Sequence, residues 1–364
     1  MPENMKLTMS RIRPNFKKFI VSRYVFYRAW SWGLLQRTFR SYPRNHFYRE
    51  FWECSKLAGK NTYEQKKSFF QWLILYHLTG LVPEEYFILG GLNTSFLSKY
   101  NSVSRWRQLF FQDRVNQSKH RHLLDNKSEF NRHFNKLIVR DWRDTHSEDL
   151  EHFMSQTNNV IIKPQDGKCG QGIRVIDWQN LTSSERQEII CQVKENEEYI
   201  VEEILQQRGF LHDVNKSSVN TLRVNTLLTN DGAECIAAFF RTGRAGEFVD
   251  NMHAGGILWH LDNNTGEILF GVDAKGGLYQ SHPDSKITMQ GDYIPRYHEA
   301  VNICLNAHKN LPQLPQIGWD VVISDDYIAL IEGNASSGFH NIDSSGRVWN
   351  KMKNFFFQQG AYEN

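Results

Sequence analysis

The chain is poor in cysteine and proline and has no long apolar run. Its five cysteines (Cys54, Cys169, Cys191, Cys235 and Cys304) are scattered over 364 residues and never form a CxxC pair. That excludes a disulfide-stapled scaffold and a cysteine-based zinc site, and it fits a reducing compartment. Nine prolines and 24 glycines exclude collagen-like and proline-rich classes. The best apolar run, residues 69–82, is interrupted by Gln71, His77 and Gly80 and falls short of the roughly 18 residues that span a bilayer. No apolar h-region precedes a cleavage site near the N-terminus, so a cytoplasmic, soluble protein is expected. What is present suffices for a sizeable core: 40% hydrophobic and 13% aromatic residues exclude a disordered chain.

Charge is unevenly spread. The formal net charge is +3, yet residues 1–60 carry thirteen Lys and Arg against Glu3, Glu50 and Glu53, a local +10, so the other 304 residues carry −7. Aromatics interleave the basic residues, with Phe16, Phe19, Tyr27, Trp30 and Leu34 at roughly helical spacing. Such a segment either packs its aromatics on a helical domain or lies on the anionic inner face of a membrane. No nucleic-acid-binding motif accompanies it, and no nucleic-acid partner is expected.

The texture changes along the chain. Residues 1–115 read as a helical, basic and aromatic region, with three- and four-residue apolar spacing over 63–78 and 104–115. Residues 116–345 read as a catalytic region, in which short β-branched runs bounded by Gly, Asn and Asp begin near 158. Two helical patterns, 183–194 and 297–311, separate these runs, and residues 346–364 read as a C-terminal tail. The fold class is α+β.

Two stretches carry chemistry. In the first, Val160–Lys163 is followed by Pro164, a loop with Gly167, Gly170 and Gly172, and a second strand from Ile173. Glycines let backbone N–H groups approach an anion, and a lysine on the neighbouring strand adds a point charge. It is neither a P-loop nor a dinucleotide fingerprint, because GxxxxGK[ST] is missing and a strand, not a helix, follows the glycines. It reads as a flap over phosphates or as a plain hairpin. In the second stretch, two apolar strands flank Asp325-Asp326. A three-residue turn centred on Asp326 puts Asp320 opposite Glu332, with Asn334 on the face of Glu332. Two acids and an amide on one face of an apolar hairpin suit Mg²⁺ or Mn²⁺; a salt bridge to Arg223 or Arg241 is the alternative.

Flap, strand lysine and carboxylate hairpin together resemble the ATP-grasp superfamily, and within it the sugar-transfer-associated family. The matching segments are Leu124-Asp-Asn-Lys127, Ile162-Lys-Pro164, Val201-Glu-Glu-Ile-Leu205, Ser218-Val-Asn-Thr-Leu-Arg223, Val249-Asp-Asn-Met-His-Ala-Gly-Gly256, His282-Pro-Asp284, Gly318-Trp-Asp320 and Glu332-Gly-Asn334. The resemblance implies two α+β subdomains gripping ATP behind the helical N-terminal region, with the flap subdomain over about 158–204. It implies that Lys127 and Lys163 hold ATP phosphates and that Gly167, Gly170 and Gly172 form the flap. The strand Val201–Leu205, Ile204 included, would pair its backbone with adenine, with Glu202 or Glu203 nearby. Asp320, Glu332 and Asn334 would hold one or two Mg²⁺ ions, Arg241 the transferred phosphate and the oxyanion, with Arg223 a further catalytic candidate, and Asn251 and Gly255–Gly256 would line the substrate loop. Cys169 departs from the small residue expected in the flap. His253 and His282 are open between substrate contact and structure; Trp319 is expected in the core.

The activity implied is an ATP- and Mg²⁺-dependent ligation of a carboxylate substrate to an amine substrate through an acylphosphate, on a cell-surface polysaccharide precursor. A kinase acting on a hydroxyl would use the same ATP site, and a non-catalytic ATP-binding partner is a further alternative. No DxD motif supports a glycosyltransferase, and no Ser–His–Asp or Cys–His arrangement is apparent.

Overall fold

The computed structural model describes residues 44–57, 61–116, 118–166, 172–195, 198–247, 250, 255–274, 277–338 and 346–358. Residues 1–43 of the basic segment, and Gly167, Cys169, Gly170, Asn251 and His253, lie outside the described residues. The chain divides into two compact units, Met1–Val115 with Gly338–Asn364, and Asn116–Ser337.

The first unit is helical: α1 (Arg44–Leu57), α2 (Thr62–Thr79), α3 (Pro83–Ile88), α4 (Phe96–Asn101), α5 (Arg105–Val115) and a C-terminal helix, Arg347–Gln358. Asn61 caps α2 by accepting from the Glu64 N–H at 3.0 Å. Gly80 ends α2 in the left-handed conformation, and a Cβ there would meet Trp106 at 2.5 Å, so both the turn and the packing need glycine. Pro83 starts α3 at its first turn, where its missing N–H is of no consequence. Phe51, Trp72, Leu75, Leu81, Tyr86 and Leu89 form the core. The C-terminal residues are more than a tail: Phe355 and Phe356 of the last helix stack near Phe111 and Phe110 of α5.

The second unit opens with α6 (His122–Asp125) and α7 (Lys127–His133) and holds two antiparallel sheets. The smaller has β1 (Trp142–Asp144), β2 (Asn159–Pro164), β3 (Arg174–Asp177) and β4 (Tyr199–Glu203) in the order β1-β4-β2-β3. It therefore begins earlier in the chain than the flap expected from about residue 158. Val160 and Ile162 of β2 and Val201 of β4 turn one face onto α8 (Leu150–Gln156) and α9 (Ser183–Lys194). After α10 (Phe210–Val214) comes the larger sheet: β5 (Thr221–Thr229), β6 (Gly232–Thr242), β7 (Ile257–Leu261), β8 (Ile268–Val272), β9 (Leu278–Tyr279), β10 (Gln316–Ile323) and β11 (Ile328–Asn334). Its order is β11-β10-β5-β6-β7-β8-β9. Leu222, Val224, Ile317, Trp319 and Val321 on one face share a core with Tyr297, Ala300 and Cys304 of α11 (Tyr297–His308). Trp319 is fully buried there, as expected.

The β10–β11 pairing sets Asp320 opposite Glu332. The turn differs from the three residues expected: Ile323 pairs with Ile328, and the Ser324 N–H donates to the Tyr327 carbonyl at 2.9 Å. A bulge between Asp320 and Val321, with Ile331 as the extra residue of β11, then shifts the register by one and restores the acid pair.

Gly318, on the face of Asp320, has no room for a side chain: a Cβ would lie 2.2 Å from Ser337. Gly318→Ala is expected to lose roughly 1–3 kcal/mol in urea unfolding, because overpacking forces the backbone apart. Ser337→Gly in the same chain should recover most of the loss; no recovery would place the strain elsewhere.

Candidate active site

Strand alternation separates the two faces of the larger sheet. Because Leu222, Val224, Trp319 and Val321 face α11, Arg223 and Asp320 face the other way. Register sets Asp320 between Arg223 on β5 and Glu332 on β11, and sets Arg241 on β6 opposite Thr221. Arg223 donates through Nε to Asp320 Oδ1 and through Nη2 to Oδ2 at 2.8 Å. Arg241 Nη2 lies 3.0 Å from the same Oδ2, and its Nε lies 3.5 Å from Asp250. The Thr221 hydroxyl accepts from Arg241 Nη2 at 2.6 Å and donates to Asp250. Among the described residues, nothing takes Nη1 of either arginine.

The acids divide in behaviour. Burial alone would raise the Asp320 carboxyl, but the two guanidiniums outweigh it and bring it down to about 2. Burial raises Glu332, and the neighbouring Asp320 charge raises it further. Burial also raises Asp250. Glu332 Oε1 accepts from Asn334 Nδ2 at 3.1 Å. The salt-bridge alternative is realised for Asp320, with both arginines. The Glu332 side stays electron-rich, and a proton or a cation relieves two facing carboxylates. Among the described residues no group of three His, Cys, Asp or Glu is placed to hold a metal. The residues that could hold a cation are Glu332, the Asn334 amide oxygen and Asp320, whose two oxygens already pair with guanidiniums. All are hard oxygen donors, and they fit Mg²⁺ or Mn²⁺.

The smaller sheet and α7 supply one lysine each. Lys163 on β2 and Glu202 on β4 share a face, and Lys163 Nζ meets Glu202 Oε2 at 2.6 Å. Lys127 opens α7, and its Nζ donates to the Pro164 carbonyl at 3.0 Å. Burial lowers the Lys127 ammonium, nearby Lys163 lowers it further, and the charge of Glu332 opposes both. Lys127, Lys163 and Glu332 are therefore within electrostatic reach of one another. Of the flap glycines, Gly172 is described: its φ is +73°, and a Cβ would meet Pro164 at 2.8 Å. Ile204 follows the end of β4.

Glu202 and Glu203 differ in burial and in partners. Glu203 accepts from the Asp141 N–H at 3.1 Å near the surface. Glu202 is 1% exposed and accepts from Arg140 Nη2 at 3.0 Å as well as from Lys163. Burial would raise its carboxyl; Arg140 and Lys163 overcome that and hold it well below the glutamate range.

Arg140 belongs to no motif, yet it also donates to the carbonyls of Leu330 at 2.9 Å and Ile331 at 3.0 Å. One guanidinium thus joins the partner of Lys163 to the bulge that sets Glu332. Asn131, which donates to Glu202 at 2.9 Å, was equally silent in sequence; Thr221 and Asp250 lie inside matching segments, but nothing there announces that they meet Arg241. Their roles depend on residues far away along the chain. His282 is structural. It is fully buried, its Nε2 lies 3.0 Å from the Gly243 carbonyl, and its Nδ1 faces the Asp284 and Ser285 N–H groups. Asp284 clamps the same loop through Arg244 at 2.7 and 2.8 Å.

The model of the sugar-transfer associated ATP-grasp family matches residues 106–346. No curated protein shows a significant match. Among solved structures, N5-carboxyaminoimidazole synthetase from Staphylococcus aureus complexed with ADP is similar at 10% identity and TM-score 0.40, over 65% of this chain and 52% of that one. D-alanine–D-alanine ligase from Bacillus anthracis complexed with ATP gives 11% and 0.38, over 66% and 68%. L-amino acid ligase from Bacillus licheniformis gives 12% and 0.39, over 66% and 48%. The chain thus spans about half the length of the synthetase and of the amino-acid ligase.

Arg140→Leu should cost about 3–5 kcal/mol at neutral pH, because it strands a buried carboxylate. The Glu202 pKa is depressed in the folded state, so the stability it contributes is complete above the ordinary glutamate value of 4.5. It disappears as pH falls through the depressed value. The gap between variant and parent in denaturant unfolding should therefore narrow in acid. An equal gap at every pH would assign the loss to packing.

Proposed function

Because the chain belongs to the sugar-transfer associated ATP-grasp family, we propose that it is an ATP-dependent ligase. It joins a carboxylate to an amine through an acylphosphate, with a precursor of a cell-surface polysaccharide as one substrate. One observation carries this reading: two lysines, a facing carboxylate pair and two arginines, whose Nη1 groups meet no partner among the described residues, converge within Asn116–Ser337.

ATP lies with its phosphates along Lys127 and Lys163, under the loop of Gly167, Gly170 and Gly172. The backbone at Ile204 meets the adenine edge. Glu202 makes no nucleotide contact in this scheme; it fixes Lys163 and Arg140. Asp320, Glu332 and Asn334 would hold Mg²⁺, which when bound neutralises triphosphate charge and polarises the γ-phosphoryl group. An oxygen of the substrate carboxylate attacks the γ-phosphorus, the bond to the β–γ bridging oxygen breaks, and ADP departs. Arg223 and Arg241 direct Nη1 at the carboxylate and then at the tetrahedral oxyanion. The amine, oriented by the loop of Asn251, attacks the acyl carbon and gives up a proton; phosphate leaves as the amide forms. The loop keeps water from the acylphosphate.

The test is product analysis with ATP, candidate uronates and candidate amino acids. The expected outcome is ADP, phosphate and an amide in equal amounts. ADP with a phosphorylated hydroxyl and no free phosphate would overturn the ligase reading in favour of a kinase. Lys127→Ala should weaken ATP binding roughly tenfold or more, since a charge-assisted contact contributes about 1.5–3 kcal/mol. It is the cleaner variant, because Lys163→Ala also takes a partner from Glu202.

A further inference from the structure

Helix α2 has an outer face that is apolar. Its inner face buries Ser68, Trp72, Leu75 and Thr79. On the other side Tyr63 is 75% exposed, Phe70 65%, Ile74 52% and Leu78 47%. These positions are seven, four and four residues apart, so they form one stripe along the helix. Lys66 and Lys67 are exposed in the same arc. The helix has one acid, Glu64, which lies in the first turn to the side of the stripe. Four large apolar side chains and two lysines on a solvent-facing surface exceed the scattered exposure usual for a soluble domain.

We propose that this face of α2 docks the protein on an anionic membrane surface. Charge decides among the occupants. Residues 1–43 of the same chain carry nine Lys and Arg against Glu3, so they repel Lys66 and Lys67. A second copy related by a two-fold axis would present two more lysines across the contact and no acid on the stripe to pair with them. An anionic bilayer turns both repulsions into attractions: the basic N-terminal segment and the lysines of α2 act in the same direction. The geometry suits a helix lying in the interface, with Tyr63, Phe70, Ile74 and Leu78 entering the acyl boundary and the lysine stems reaching back to the headgroups. Among the described residues no helix is long and apolar enough to cross a membrane, so the contact is peripheral. The proposal is independent of the ligase reading.

The full chain is sedimented with vesicles of phosphatidylcholine alone and of phosphatidylcholine with phosphatidylglycerol. The parent should pellet with the anionic vesicles only. Phe70→Ser with Ile74→Ser, and separately Lys66→Glu with Lys67→Glu, should each lower partitioning by roughly tenfold or more. Both double variants change exposed residues and should keep the parent's unfolding midpoint. Failure of the parent to bind anionic vesicles would overturn the proposal. So would parental binding by the Phe70/Ile74 variant, or a dimer in sedimentation velocity that this variant abolishes while vesicle binding persists.

Discussion

Arg140 has to satisfy the buried Glu202 carboxylate and two strand carbonyls at once, and the placement of the candidate site follows from how it does so. An ionised carboxylate with almost no exposure stays charged only where positive charge is built in around it. Here one source is Arg140 and the other is Lys163. The guanidinium is planar and carries several donors, so it can meet the carboxylate and the β11 backbone together, which a lysine in its place could not. The two carbonyls it takes belong to Leu330 and to the bulged Ile331. The ion pair that holds Lys163 and the irregularity that sets Glu332 therefore share one side chain.

On the larger sheet, two requirements are met by a single alternation. One face must bury apolar side chains against α11; the other must gather charge. Leu222, Val224, Trp319 and Val321 alternate with Arg223 and Asp320, so each strand serves both faces. The charged face carries Arg223, Arg241, Asp320, Glu332 and Asp250 in close contact, with Asp320 lowered and Glu332 raised. Facing carboxyl groups pushed apart in this way mark a place where a cation or a proton is wanted.

Much of this was legible in the sequence because it rests on local periodicity. The helix over Ser183–Lys194 and the strand over Ile257–Leu261 were readable at both ends, since their patterns are bounded by polar or glycine-containing turns. The Asp320–Glu332 pairing was readable because the strands are joined by a short turn; the turn itself was not, and the bulge at Ile331 compensates for it. Arg140 was illegible for a different reason. Arg140 meets residues 62 and 190 positions away, and no local pattern announces such a partner. Glu202 and Glu203 are adjacent and chemically alike; only burial separates them.

In the function we propose, the acid pair and the lysines serve one nucleotide–metal site. The most direct measurement is ATP affinity by titration calorimetry, with and without Mg²⁺, for the parent chain and for Glu332→Gln. Mg²⁺ should tighten ATP binding to the parent markedly, and most of that gain should vanish in the variant while the unfolding transition is kept. ATP binding that ignores Mg²⁺, or a gain undiminished by Glu332→Gln, would contradict that proposal.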